Sequence, residues 1–145
     1  MKIKSAVNSA KTSMLFTCLF SISIEAYSYD VIFTINNQQY VHTIDESNDG
    51  ASAFREALPI TVTFEDYGFT ERIAYLEQKL KNFKANPSCD PIRGDFTYYV
   101  PWGNLAVFIQ DFRHSDNLLY ISHLEPDLVD AIQKSQKSAV IIEEK

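Results

Sequence analysis

Two β-rich runs, Asp30-Val-Ile-Phe-Thr-Ile35 and Gln38-Gln-Tyr-Val-His-Thr-Ile44, flank the pair Asn36-Asn37. Asparagine tolerates the positive φ that a tight turn needs, so this pattern predicts a β-hairpin. After the polar turn Asp45–Gly50, the segment Ala51–Leu58 sets Phe54 and Leu58 four residues apart, on one face of a short helix, and Pro59 stops it. Ile60–Phe64 alternates with period two as a strand does, and Asp66-Tyr67-Gly68 breaks the alternation. Thr70–Leu80 fits either a strand over Arg72–Leu76 or a helical turn. Lys81–Gly94 holds Pro87, Pro91 and Gly94 without periodicity and reads as a long surface loop.

The densest apolar patterns follow. Asp95–Val100 and Leu105–Gln110 predict two strands joined by Pro101-Trp102-Gly103-Asn104, with Pro and Gly placed for a type I turn beginning at Val100. Tyr98 and Tyr99 then point to opposite faces, so at most one belongs to the core. Leu118–Ser122 predicts a further strand. Pro126–Gln133 predicts a short helix with proline in its first turn, and Ala139–Ile142 a last strand. About seven short strands and one or two short helices make the chain mainly β, and we expect a closed or nearly closed antiparallel β-barrel.

The first 28 residues are built differently. Lys2, Lys4 and Lys11 precede the apolar run Met14–Ile24, and Ala26 and Ser28 are small residues at the −3 and −1 positions of a cut after Ser28. This predicts a secretory signal peptide over residues 1–28, hence an exported protein, periplasmic or secreted, with its domain over 29–145. The alternative is a non-native N-terminal extension. The apolar run is shorter than the roughly 20 residues of a membrane-spanning helix, so no membrane span is expected.

Hydrophobic residues make up 46% of the chain and aromatics 13%, enough for a filled core. The formal net charge is −6, and loss of residues 1–28, which carry three lysines and one glutamate, makes it more negative. Without a basic cluster this disfavours nucleic acid as a partner. Cys18 would leave with the signal, so Cys89 has no intramolecular partner. His42, His114 and His123 are scattered without metal-ligand spacing, and no glycine-rich phosphate loop or nucleophile elbow is present, so no metal or other cofactor is expected.

The stretch Gly94-Asp-Phe-Thr-Tyr-Tyr-Val-Pro-Trp-Gly-Asn-Leu-Ala-Val-Phe-Ile-Gln-Asp-Phe112, with Ser52-Ala-Phe-Arg-Glu-Ala-Leu-Pro59 upstream, resembles the bacterial cyclophilin-like fold proteins over about Val31–Ile142. The resemblance implies a cyclophilin-type β-barrel and brings no settled activity. A more distant likeness to true cyclophilins, which are prolyl isomerases, runs through Ala53–Leu58, Gly94–Thr97 and Tyr120–Gln133, and makes Arg72 similar to their catalytic arginine. Their other active-site residues are replaced: Ile92-Arg93 stand where a glutamine is expected, Val107-Phe108 where a phenylalanine pair is, and Asn117–Leu119 where a tryptophan and a histidine are.

Prolyl isomerisation needs an apolar pocket for the ring and a guanidinium on the twisted amide. Arg72 could supply the second, or could simply pair with Glu71 or Asp66. Trp102 could line a groove or cap the barrel. Asn104 could bond its own turn, and Asp111 could cap its loop or anchor a ligand donor. The sequence therefore points first to a non-catalytic binding module for a small molecule or extended peptide, with Arg72, Tyr75, Tyr99, Trp102, Asn104, Phe108 and Asp111 as candidate contacts. Its alternatives are a weak prolyl isomerase relying on Arg72 and an interaction subunit working through its acidic surface.

Overall fold

The Asn36-Asn37 turn forms as expected. Both residues take positive φ, +50° and +65°, and join β1 (Ser28–Ile35) to β2 (Gln38–Asp45). A computed structural model of the chain describes residues 27–84 and 86–145; the predicted signal segment up to residue 26 lies outside the described residues. After α1 (Asp49–Ala57) come β3 (Ile60–Thr63), β4 (Glu65–Tyr67), β5 (Glu71–Tyr75) and β6 (Ser88–Cys89). Then follow β7 (Asp95–Tyr99), β8 (Asn104–Phe108), β9 (Ser115–Asp116), β10 (Leu118–His123), α2 (Pro126–Lys134) and β11 (Ala139–Glu144). The described residues are mainly β with two short helices, and among them no helix is long and apolar enough to cross a membrane.

Closure into a barrel is the expectation that changes. The strands form a four-stranded sheet in the order β2-β1-β11-β3 and a five-stranded sheet in the order β10-β7-β8-β5-β4, with β6 and β9 as a separate pair. No sheet closes on itself. Two features stand where closing ladders would run. At one corner the chain passes from β3 to β4 through Phe64, whose carbonyl accepts from Arg72 rather than from a strand. At the other, α1 lies against β10: its N-cap Asn48 donates from Nδ2 to Ile121 O at 3.2 Å, and Gly50 abuts Tyr120 O. The helix meets backbone oxygens of β10 that another strand would otherwise need.

The main core lies between the two sheets. Val31, Phe33 and Ile35 of β1 with Val140 and Ile142 of β11 face Phe96, Tyr98, Leu105 and Val107 of β7 and β8. Phe96 makes edge-to-face contacts with Phe33 at 6.1 Å and Phe54 at 5.0 Å, tying both sheets to α1. Helix α2 adds Leu128, Val129 and Ile132, with Pro126 in its first turn as the sequence predicts.

Several local expectations shift. The helix α1 begins two residues before Ala51, because Asn48 Oδ1 accepts from Ala51 N at 2.9 Å and caps it. Asp66-Tyr67 does not break the sheet but continues as β4, turning at Gly68 (φ +57°) into β5. The segment left open between strand and helical turn is therefore a strand. The β7–β8 connection is one residue wider than a type I turn, since Gly103 N bonds Tyr99 O at 2.9 Å and Gly103 takes φ +74°. Within the long 81–94 segment, Ser88-Cys89 pairs with Ser115-Asp116.

Gly50 sits where α1 touches β10, and a Cβ there would fall 2.0 Å from Tyr120 O. Alanine gains up to about 1 kcal/mol of helix propensity over glycine, but the clash is with backbone and cannot be relieved by a rotamer. Gly50→Ala is expected to lower unfolding free energy by about 2 kcal/mol or more in a urea titration. A neutral or stabilising result would mean that α1 does not pack this closely.

His42 is buried on β2, with Nε2 2.8 Å from Ser122 Oγ on β10. Burial, chiefly, lowers its pKa below the usual 6.5. The unfolded chain therefore binds the proton more readily, and stability falls as pH drops below about 6.5. His42→Gln is expected to flatten that part of the pH–stability curve measured between pH 7 and 5.

Candidate functional site

Alternation along β5 decides which candidate residues can meet. Arg72 and Ala74 face the main core, while Glu71, Ile73 and Tyr75 face the outer side of the five-stranded sheet. Register carries that outer face across to Asn104, Ala106 and Phe108 of β8, then to Tyr99 of β7 and Leu118 of β10. Ile73, Ala106, Phe108 and Leu118 form a second, smaller apolar cluster, against which Cys89, Tyr99 and Phe112 pack.

A groove of about 210 Å³ opens on this outer face. Trp102 overhangs it from the β7–β8 turn, edge-to-face with both Tyr67 and Tyr99 at 5.5 Å. The indole is 47% exposed, so it neither fills the main core nor floats free. Phe112 and Arg113 form another part of the lining, with the Arg113 guanidinium 5.0 Å above the Phe112 ring.

Two of the groove's polar groups are withdrawn from water without a partner among the described residues. Asn104 is 2% exposed; its Nδ2 donates to Leu105 O at 3.1 Å, but Oδ1 accepts no hydrogen bond among the described residues. Glu71 is partly buried, and desolvation raises its carboxyl pKa above the ordinary 4.5. The Cys89 thiol is pushed up to about 11, by burial first and by Asp95 and Asp90 next, which keeps it protonated and a poor nucleophile at neutral pH.

Of the seven residues singled out from sequence, Tyr99, Trp102, Asn104 and Phe108 line this groove. Tyr75 stands opposite Asn104 in register but is 53% exposed and does not line it. Asp111 caps a neighbouring loop, its Oδ1 accepting from Arg93 N at 2.9 Å. Tyr67, Glu71 and Phe112 were not singled out. Reading Tyr67-Gly68-Phe69-Thr70-Glu71 as a hairpin would have placed Tyr67 and Glu71 side by side on the outer face.

Arg72 lies elsewhere. It is 4% exposed, donating from Nη1 to Asp66 Oδ1 at 2.9 Å and from Nη2 to Phe64 O at 2.9 Å and Gln136 O at 2.8 Å. The pairing with Asp66 weighed from sequence is present, but the guanidinium is buried rather than on the surface. It clamps the β3–β4 corner to the segment after α2, and it does not reach the groove. Removing it leaves two carbonyls without that donor, each worth about 1–3 kcal/mol when buried and unpaired. Arg72→Ala is expected to cost about 2–4 kcal/mol of stability by denaturant unfolding, and lysine, which lacks the planar fork, to rescue only part of the loss.

A larger concavity, about 540 Å³, lies between α1, β3 and residues 76–82. Three of its polar residues already have partners: Asn82 Nδ2 donates to Glu56 Oε2 at 2.7 Å, and Lys79 Nζ reaches Pro101 O at 3.4 Å. The smaller groove, with its unmet acceptors and clustered rings, is the better candidate for recognition despite its size.

Comparison with known proteins bears on the fold. A family model described as the Cyclophilin-like family matches residues 33–143. A hypothetical protein from Archaeoglobus fulgidus, solved in solution, superposes with a TM-score of 0.60 at 13% identity, covering 86% of this chain and all of its own. At that identity the similarity concerns the fold alone. No curated protein matches the sequence.

Proposed function

The chain belongs to the cyclophilin-like family, and on that premise we propose that it is a non-catalytic binding module whose outer groove takes a small molecule or part of an extended peptide. The observation that carries this reading is the aromatic overhang. Trp102, Tyr67 and Tyr99 keep their rings at the mouth of a recess floored by Ile73 and Phe108, with a buried polar atom, Asn104 Oδ1, left unsatisfied. A recess of apolar walls with a few fixed polar groups is the usual form of a ligand site.

The isomerase alternative needs a guanidinium free to reach a substrate amide. The Arg72 side chain is held by Asp66, Phe64 O and Gln136 O, which counts against that role and in favour of binding without turnover.

Export is part of the proposal and rests on the residue pattern of positions 1–28. A cut after Ser28 would spare Tyr29, whose buried hydroxyl donates to Ala51 O at 2.7 Å and anchors β1 to α1. Mass spectrometry of the mature N-terminus tests it.

Trp102 is the chain's single tryptophan, so its fluorescence reports on the groove without labelling. Screening extended tripeptides and small polar metabolites is expected to find ligands that alter Trp102 emission and raise the wild-type melting temperature. Trp102→Ala should lose at least about tenfold in affinity, in line with about 1–3 kcal/mol for a buried apolar or stacking contact. Equal thermal shifts in wild type and variant would move the site away from this groove.

A further inference from the structure

The groove holds one carboxylate, Glu71, and one cation, Arg113, and the two differ in burial: Glu71 is half-buried and Arg113 exposed. Asn104 Nδ2 donates to Leu105 O, and its Oδ1 is buried without a partner in a residue that lines the groove. The Glu71 carboxylate makes no ion pair or hydrogen bond among the described residues, although it is partly withdrawn from water beside Tyr67 in the cross-strand register. A positively charged ligand that donates hydrogen bonds can neutralise the Glu71 carboxylate.

The ring arrangement adds a second, independent preference. Trp102 stands nearly perpendicular to both Tyr67 and Tyr99, at 80° and 85°, so neither tyrosine stacks flat on the indole. Aromatic faces carry negative potential and attract alkylammonium and guanidinium groups, tryptophan most strongly. At about 210 Å³ the recess is smaller than the roughly 300–1,000 Å³ of sites for drug-sized ligands, and suits a single head group.

We propose that the groove selects a cationic head group, an alkylammonium or guanidinium borne by a small amine or by a basic peptide side chain. In it, Tyr67, Tyr99 and Trp102 supply the aromatic surround, and Glu71 the carboxylate. This rests on the groove being the binding site. The chain's net charge of −6 favours approach of such a ligand. One charge opposes it: Arg113 also lines the groove. Its guanidinium is exposed to water and stacked on Phe112, where solvent screens it, whereas Glu71 acts from a partly desolvated position.

The test uses n-butylammonium, N-acetyl-lysine methylamide, the neutral isostere N-acetyl-norleucine methylamide and butyrate. It reads Trp102 fluorescence and the Asn104 side-chain amide resonance of the full chain. Both cations are expected to move both reporters, and the lysine derivative to bind about tenfold tighter than the norleucine one. Glu71→Gln, nearly isosteric and so expected to stay folded, should erase most of that preference, whereas Arg113→Ala should strengthen cation binding about twofold at low salt. If the lysine derivative outbinds butylammonium, the source is a peptide side chain; the reverse order identifies a free amine.

Norleucine binding as tightly as lysine, or butyrate binding best, would overturn cation selectivity while leaving the groove as the site. No change in either reporter with any of the four would overturn the selectivity. If ligands from the broader screen also bind without moving Trp102, the groove itself is lost as the site.

Discussion

Strand β8 is buried along its whole length on both faces, and most of the architecture answers to that constraint. Leu105 and Val107 point into the main core against Phe96 and Tyr98, while Asn104, Ala106 and Phe108 point the other way. A single antiparallel sheet covers one face with the opposing sheet and normally leaves the other to water. Here the outer face is apolar enough to need its own cover. The 87–93 and 109–116 segments provide it, pinned together by Arg93 Nη1 to Ile109 O at 2.7 Å, Phe112 N to Pro91 O at 2.9 Å and the short β6–β9 pair. The cover is incomplete, and the groove is the part left open. The opening thus arises from packing: the stretch that most needs burial is also the floor of the candidate site.

That relation explains which parts of the molecule were legible from sequence. Period-two alternation and turn residues identify the β1–β2 hairpin, β3, the β7–β8 pair, β10, β11 and both helices, because each buries one clear stripe on the main core. The β4 strand escaped because all three of its residues are exposed and a glycine follows at once. The β6 and β9 strands are two residues each and pair over a separation of more than twenty residues, so no local pattern encodes them. Barrel closure was an inference from strand number and from the family resemblance. It failed where side chains, Arg72 at one corner and Asn48 at the other, meet backbone groups.

The site was half legible for a related reason. Trp102, Tyr99, Asn104 and Phe108 belong to one hairpin whose register follows from its turn, so their shared face could be read once Tyr98 was assigned inward. Tyr67 and Glu71 reach the same face only through the β4–β5 and β5–β8 registers, which link distant segments. A slip of one residue in β5 would have exchanged Arg72 with Glu71 or Ile73, and the candidate chemistry with it.

That exchange separates the two functional readings. Arg72 and Glu71 are neighbours, of opposite charge, and would form an unremarkable surface pair if β5 were exposed on both sides. The pleat sends them apart instead. Arg72 enters the core side, where its planar fork finds a carboxylate and two carbonyls and becomes a structural clamp. Glu71 enters the groove, where desolvation makes its charge costly and it forms no ion pair among the described residues. A fold selected for stability alone has little reason to keep an uncompensated, partly buried carboxylate on a face that also carries the exposed rings of Tyr67 and Trp102. A ligand that brought the missing positive charge would remove the carboxylate's penalty and cover the very face that β8 needs covered.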